Sequence, residues 1–410
     1  MSIPIYILGG SQTDFSRNWS REGLTIFDMF SEILNKALTS ESLSPDQIQV
    51  AHVGNFISDL FTGQGLLNGF FGEVHSEMSS LPTSRHEAAC ASGSIAILSA
   101  MRDIESGHYD LACVLGLEYM RNVDGKTGAD HLGAATWRNK EAQEANYPWP
   151  YMFNQIIDEY DKRYGIDCQN LKDISKINFS NAQKNPNAQT RNWAFLDESF
   201  TNDDIYNPVI EGRIRKMDCG QITDGAACVF LASEAAAKDY AKKNGLKLKD
   251  IPRIKGWGHR SAAISLETKL KASTGQPLIF PHVAQIMTDA LARAGFTDIT
   301  ALDGLETHDC FSITEYMAID HIGLTSPGES WKAIKEGRIT IDGDFPINPS
   351  GGLLGLGHPV GATGIRMLLD CAKQVAGKAK ASQIKNAENM ATFNLGGSTT
   401  TCVSFIVGVN

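Results

Sequence analysis

The chain has 410 residues, 42% hydrophobic and 20% charged, with a formal net charge of −10. That length is too great for one ordinary core and suits two domains, the composition is that of a soluble globular protein, and the acidic balance argues against a general nucleic-acid binder. No apolar run reaches the roughly 18 residues that span a bilayer, Met1-Ser2-Ile3-Pro4 lacks the basic start of a signal peptide, and Gly408-Val409-Asn410 is no peroxisomal address. The eight cysteines are scattered without regular spacing, which suits a reducing cytoplasm better than a disulfide framework. A cytoplasmic location is expected.

Taken in chain order, Ile48 to Phe56 reads as a strand. His86-Glu87-Ala88-Ala89-Cys90-Ala91-Ser92-Gly93-Ser94 follows, a run of small residues around a sulfur. Beyond it Ile95, Ile97, Leu98, Met101 and Ile104 recur with helical spacing, so Cys90 is predicted at the mouth of a buried helix. Free N–H groups at such a helix start would lower the thiol's pKa. A lone cysteine of this kind is more often inert packing, and the case for chemistry rests on two later segments. Leu111 to Glu118 reads as a buried strand. From Arg121 to about Arg213 the pattern loosens, with Tyr147-Pro148-Trp149-Pro150-Tyr151, Lys184-Asn185-Pro186-Asn187 and charged helical stretches such as Asp158 to Tyr164. Core packing is the expected role for most of Trp149, Tyr151, Phe153 and Tyr160. Ala226 to Leu231 reads as a strand again, and a Ser, Thr, Gly and Lys-rich break near Ser261 to Pro277 separates two halves.

In the second half, Ile299 to Leu305 is strand-like and Ile313 to Ile319 helix-like. Glu306-Thr307-His308-Asp309-Cys310-Phe311-Ser312 lies at their junction, a usual place for chemistry in an α/β protein. Asn348 to Gly364 then carries six glycines around Gly357-His358-Pro359-Val360-Gly361-Ala362-Thr363-Gly364. Pro359 biases His358 away from helical geometry and suits an early helix position, so His358 is predicted on a rigid turn with its ring free. No Gly-Lys-Ser/Thr follows, which excludes a P-loop, and a dinucleotide fingerprint fits poorly. The cysteines contain no Cys-x-x-Cys pair and the histidines no matching spacing, so no metal is expected. Faint self-similarity suggests a diverged duplication. Ile48–Phe56 parallels Thr300–Cys310, the Cys90 helix parallels the His358-Pro359 helix, Leu111–Glu118 parallels Met390–Gly397, and Ala226–Leu231 parallels Thr401–Val407.

Together these pieces resemble the thiolase family, closest to its SCP-x (sterol-carrier-protein-type) and archaeal branch. Three motifs carry the likeness: the Cys90 elbow, the His-Asp-Cys-Phe box at His308 to Phe311, and Gly-His-Pro-x-Gly-Ala-Thr-Gly at Gly357 to Gly364. Ile5 to Phe15 resembles the opening strand and turn of these enzymes, and Asp224-Gly225-Ala226-Ala227 the strand entry that closes their first half. The resemblance implies an α/β fold of two similar layered αβαβα halves. Residues 1–120 and 214–265 would form the N-terminal half, 121–213 a loop domain over the active site, and 266–410 the C-terminal half. It implies acyl transfer between CoA thioesters through an acyl-Cys90 intermediate, either thiolytic cleavage of 3-ketoacyl-CoA or the reverse Claisen condensation. It assigns His358 as the base for Cys90. The N–H groups of Cys90 and Gly396 would form one oxyanion hole, and His358 with a water held by His308 the other. Most thiolases open a carboxyl-terminal Cys-x-Gly-Gly-Gly run with a second catalytic cysteine. Here Asn394 stands at that place, and the SCP-x branch uses the cysteine of its His-Asp-Cys-Phe box, matched by Cys310. Coenzyme A would be a substrate and not a resident cofactor. Lys216 to Gln221 is a candidate contributor to its site. A homodimer or tetramer is implied. The rival readings are a ketoacyl synthase and a thiolase-fold retro-aldolase or scaffold with an OB-fold partner; relatives of the second kind lose the nucleophilic cysteine that Cys90 supplies here.

Overall fold

The computed structural model describes residues 3–409. Its strands are β1 (Ile5–Gln12), β2 (Val50–Gly54), β3 (Thr83–His86), β4 (Leu111–Glu118), β5 (Val209–Glu211), β6 (Ile214–Arg215), β7 (Gly225–Ala232), β8 (Arg253–Ser261), β9 (Gly304–Thr307), β10 (Asn389–Gly396) and β11 (Thr401–Gly408). β5 and β6 form a hairpin, and the others form one sheet in the order β3-β2-β4-β7-β1-β8-β11-β10-β9. The duplication is visible in that order. β2-β4-β7-β1 runs parallel, antiparallel, antiparallel. β9-β10-β11-β8 repeats the same sequence of directions from the far side. The halves join where β1 meets β8 through Ile5↔Ile254 and Tyr6↔Arg253.

β8 lies ahead of the boundary expected at residue 265, yet most of its pairing is with the second half. It pairs with β11 from Thr401 to Gly408 but with β1 at two positions only, so it belongs with the second half-sheet. The reason is local: Gly256 and Gly258 let β8 lie directly against the Pro281–Ala294 helix, where a Cβ on Gly258 would fall 1.9 Å from the Ile286 carbonyl oxygen. The expected strand Ile299–Leu305 is also displaced. The Asp298 side chain accepts from Thr300 N–H and caps a short turn over Ile299–Ala301, so the strand starts at Gly304. The helix after it is longer than expected, Ser312–His321.

Two helices, Ser92–Glu105 and Thr363–Val375, fill the layer between the half-sheets. Ile97 and Met101 of the first share one apolar cluster with Ile365 and Leu368 of the second, and with Val114, Val229, Val403 and Phe405 of the strands. Such strands are covered on both faces and read as unbroken apolar runs. Outer helices complete the expected layers. Ile26–Ser40 starts on a Thr25/Asp28 capping box and packs Met29 and Phe30 with Leu115 and Phe230. Pro281–Ala294 opens with proline, stops at left-handed Gly295, and packs Val283 and Ile286 with Cys402 and Ile406.

The inserted segment has no separate core. Met152 and Phe153 of the helix Pro148–Tyr164, and Phe179 of the helix Gln169–Ala182, share a cluster with Tyr316 and Met317. Phe153 and Tyr160 are buried, whereas Tyr151 is exposed. Among the described residues, no helix is long and apolar enough to cross a membrane.

Candidate active site

The two inner helices start face to face. The approach is close enough that a Cβ on Gly364 would fall 2.6 Å from the Ser94 amide nitrogen. This brings the Cys90 turn and the His358 turn together from opposite halves of the chain.

Cys90 sits in a single 3₁₀ turn, Ala89–Ala91, ahead of its helix. Ala89 holds φ +49°, a left-handed conformation that costs a non-glycine residue energy. The turn is clamped by its own polar atoms: Ala88 N–H donates to Ser92 Oγ at 2.9 Å, and Ser92 Oγ donates to the Ala89 carbonyl at 2.6 Å. The expected lowering of the thiol's pKa is overturned. Burial pushes the Cys90 thiol up to about 12, although an N–H of Gly397 donates to the sulfur, and nearby Glu118 adds to the rise. The sulfur is packed with Phe56, Ala89, Met120 and Val360, and that loss of water outweighs the helix start. The amide that donates to the sulfur is that of Gly397, next to the Gly396 expected for the oxyanion hole. Gly397 is left-handed at φ +63° and lines the cavity; Gly396 instead rests on the Ala88 carbonyl, where a Cβ would fall 2.2 Å from the oxygen.

His358 follows left-handed Gly357 (φ +122°). Pro359 precedes a 3₁₀ turn, Val360–Ala362, so the helix proper begins at Thr363, later than expected. The His358 backbone N–H donates to Thr223 Oγ1 at 3.0 Å. Its Nδ1 lies 2.7 Å from Thr363 Oγ1, whose own proton goes to the Pro359 carbonyl at 3.0 Å. The threonine oxygen must therefore accept, Nδ1 carries the proton, and Nε2 keeps a lone pair. That Nε2 is buried and has no hydrogen-bond partner. Burial, helped by the Arg366 charge, lowers the ring's pKa to about 3.

His308 has the opposite arrangement. Its Nδ1 lies 3.1 Å from Asn394 Nδ2. The Asn394 amide is oriented by two further bonds, Oδ1 accepting from Ser94 Oγ at 2.7 Å and Nδ2 donating to the Cys90 carbonyl at 3.2 Å. His308 Nδ1 accepts, so Nε2 carries the proton. Burial and the neighbouring His358 and Arg366 hold the ring neutral. The two imidazoles stand edge-to-face, 5.2 Å between centroids. One offers a lone pair and the other a hydrogen.

Cys90, Cys310 and His358 line one cavity of about 350 Å³. Cys310 is buried, and its thiol is pushed up by that burial and by the Cys90 sulfur. The cavity's other wall is supplied by the inserted segment, through Tyr147, Trp149 and Phe153. Phe153 stacks on Phe311 at 4.5 Å. Lys216, Cys219, Gly220 and Gln221 of the segment singled out in the sequence also line it. The donor atoms of Cys90, His308 and His358 lie within 4.8 Å of one another, a spacing that could also hold a metal ion.

Glu118 and Arg366 stand outside the motifs of the sequence, and Asp309 enters them only as part of the His-Asp-Cys-Phe box. Glu118 ends an otherwise apolar strand and is wholly buried. Its carboxylate accepts from the N–H groups of Phe56, Ile57 and Gly361 at 3.0–3.1 Å and from Asn55 Nδ2 at 2.9 Å, and burial raises it to about 7. It thus ties both halves at the mouth of the site. Asp309 accepts from the N–H groups of Leu353 and Leu354 and from Asn178 Nδ2, fixing the glycine-rich turn to the His-Asp-Cys-Phe box. Arg366 is buried against Glu306 at 2.7 Å and Asp370 at 3.2 Å. A charged residue closing an apolar strand, as Glu118 does, is the one signal that could have been read.

Comparison with known proteins agrees with this geometry. The family model for the thiolase N-terminal domain matches residues 5–235, and that for a thiolase C-terminal domain-like unit matches 266–409. The acetyl-CoA acetyltransferase of Methanothermobacter thermautotrophicus is 30% identical over 394 residues, covering 96% of both chains. Human sterol carrier protein 2 is 27% identical, covering 96% of this chain and 70% of that protein. Among solved structures, the Ltp2-ChsH2(DUF35) aldolase shares the fold, with a TM-score of 0.78, 18% identity, and coverage of 99% of this chain and 98% of that one. With two thiols and an imidazole converging between two duplicated halves, and with family models matched across both, the chain belongs to the thiolase family of acyltransferases.

Proposed function

We propose that this protein transfers acyl groups between CoA thioesters, by thiolysis of a 3-ketoacyl-CoA or by the reverse condensation. The observation that supports it most is the convergence of Cys90, Cys310 and a lone-pair Nε2 of His358 on one apolar-walled cavity.

In the cleavage direction, Cys90 Sγ attacks the 3-keto carbon while its proton moves to His358 Nε2. Both groups are neutral at rest, so no charge is buried until substrate arrives. The developing oxyanion is met by the preset N–H donors of Cys90 and Gly397 on the sulfur side; His358, once it carries the thiol proton, and a water held by His308 Nε2–H serve the other carbonyl oxygen. The bond between C2 and C3 then breaks and its electron pair passes to C2. Cys310, kept protonated by its burial, donates to that carbon, and acetyl-CoA leaves. The thiol of CoA attacks acyl-Cys90, its proton returning to the Cys310 sulfur; the Cys90 sulfur leaves and takes its proton back from His358, and a shortened acyl-CoA departs. Condensation reverses every step. Lys216, on the cavity wall, is the candidate for the polar end of CoA.

The fold likeness to the Ltp2-ChsH2(DUF35) aldolase keeps a retro-aldolase with an OB-fold partner as the second reading, and Cys90 favours the first. A panel of 3-ketoacyl-CoAs of graded length and branching, with and without CoA, tests it. CoA-dependent loss of the 3-keto thioester supports thiolysis; carbon–carbon cleavage of a hydroxyacyl-CoA independent of CoA supports the aldolase. Light scattering tests the expected homodimer or tetramer.

A further inference from the structure

A second cluster of histidines lies outside the acyl-transfer cavity, at the β3 edge of the sheet. His52 and Ser84 are cross-strand neighbours on β2 and β3, and His86 follows two residues after Ser84 on the same face. His52 Nδ1, His86 Nε2 and Ser84 Oγ form a nearly equilateral triangle. The sides are 3.0 Å between the nitrogens, 2.9 Å from Ser84 to His52 and 2.9 Å from Ser84 to His86. The Ser92–Glu105 helix covers this face with Ser99 and Asp103, one turn apart. Asp103 Oδ2 accepts from His52 Nε2 at 2.8 Å.

His52 Nε2 carries its proton to bond the Asp103 carboxylate, which leaves Nδ1 a lone pair. His86 has two tautomers: Nε2–H donates to His52 Nδ1 and closes the cluster, or Nδ1–H points to Ser99 Oγ at 3.4 Å, with the Ser99 proton on the Ile95 carbonyl at 3.1 Å. In the second, His86 Nε2 also presents a lone pair. Two lone pairs face each other at 3.0 Å, with one hydroxyl proton from Ser84 between them. An electron-pair acceptor seated above the plane of the triangle would serve both, since the in-plane centre is only about 1.7 Å from each atom, too close for a metal–nitrogen bond. Tetrahedral zinc with nitrogen ligands at about 2.0–2.1 Å holds those nitrogens roughly 3.3 Å apart, a few tenths of an ångström wider than here. A carboxylate on the far nitrogen of a ligating histidine is the usual outer partner of such a site. His52 is buried, and His86 and Ser84 are half-buried beside an open cleft, which leaves room for solvent to complete the coordination. Arg102, at the rim of the cleft, is the one charge there that opposes a cation.

We propose that His52 Nδ1, His86 Nε2 and Ser84 Oγ bind a divalent transition-metal ion of borderline softness, zinc foremost, with Asp103 orienting the His52 ring. The ligands lie 32 and 34 residues apart, so no metal spacing shows in the sequence. The ion would pin the edge strand β3 to β2, with Asp103 tying His52 to the Cys90 helix, and so stabilise the fold; the proposal does not depend on the acyl-transfer reading.

The test is calorimetric titration of ZnCl2 into chelator-stripped full-length protein carrying Cys90→Ser, which removes the thiol of the competing Cys90–His308–His358 set. One saturable equivalent and a raised melting temperature are expected. Adding His86→Ala should abolish both. Adding Asp103→Asn, a partly exposed change that leaves the ligands in place, should weaken binding about 10- to 100-fold. Cobalt(II) should give a four-coordinate absorption spectrum that disappears with His86→Ala. No saturable binding to Cys90→Ser, or the same affinity with and without His86, overturns the proposal.

Discussion

His308 and His358 differ in one respect that decides their chemistry. Both are walled in, both are held neutral, and their rings touch edge-to-face. Their Nδ1 partners differ. Thr363 has given its proton to Pro359 and must accept, which turns His358 Nε2 into a base. Asn394 is oriented by Ser94 and the Cys90 carbonyl and must donate, which turns His308 Nε2 into a hydrogen-bond donor. Burial sets the charge of each ring; the outer partner sets which way it acts. On the proposed reading, Asn394 positions His308 at the place where the resemblance to most thiolases would put a thiol, and Cys310 would bring the second sulfur from a different strand end.

The largest change should come from removing the base. His358→Ala should slow acylation of Cys90 about 10²- to 10⁴-fold near neutrality. It should also change the pH profile. With His358 neutral above pH about 3 and the thiol raised to about 12, alkylation of Cys90 by iodoacetamide should vary little across the neutral range in the wild type. The variant must rely on hydroxide and should gain about tenfold per pH unit. A wild-type profile that rises and levels off near pH 7 would mean a thiolate–imidazolium pair, against the neutral pair described. Next, Asn394→Asp replaces a donor by an acceptor and should reverse the His308 tautomer. Turnover should fall about 10²- to 10³-fold, the scale of one lost oxyanion donor, while iodoacetamide alkylation of Cys90 stays within a few-fold. Equal loss of both would give Asn394 a merely structural role. The smallest effect belongs to Thr363→Val, which removes the acceptor for His358 Nδ1–H and should cost roughly 2- to 10-fold in acylation.

The sequence told much of this through local pattern. The apolar spacing after Cys90, the proline after His358 and the strand-to-helix junction at His308 each placed a reactive side chain at an element's end, and the structure has them there. What it did not tell was set by contacts across the chain. Ser94 and Asn394 are 300 residues apart, so Asn394 read as a missing thiol and not as the group that orients His308. Which backbone amide reaches the sulfur is likewise set by the fold: Gly397, left-handed at φ +63°, donates to Cys90. The thiol's pKa was misjudged because the helix start is visible in sequence, whereas the apolar wall of Phe56, Met120 and Val360 is not. β8 crossed to the other half because eight pairs with β11 outweigh two with β1.

The central claim is that two thiols in one cavity divide the work, Cys90 bonding the acyl group and Cys310 moving the proton on carbon. Peptide-resolved mass spectrometry of wild type, Cys90→Ala and Cys310→Ala after exposure to acetyl-CoA, paired with assays of carbon–carbon cleavage, tests it most directly. Expected are an acetyl group on Cys90 in the wild type and in Cys310→Ala, none in Cys90→Ala, and cleavage only in the wild type. An acetyl adduct elsewhere with Cys90 unmodified, or full cleavage by Cys310→Ala, would contradict it.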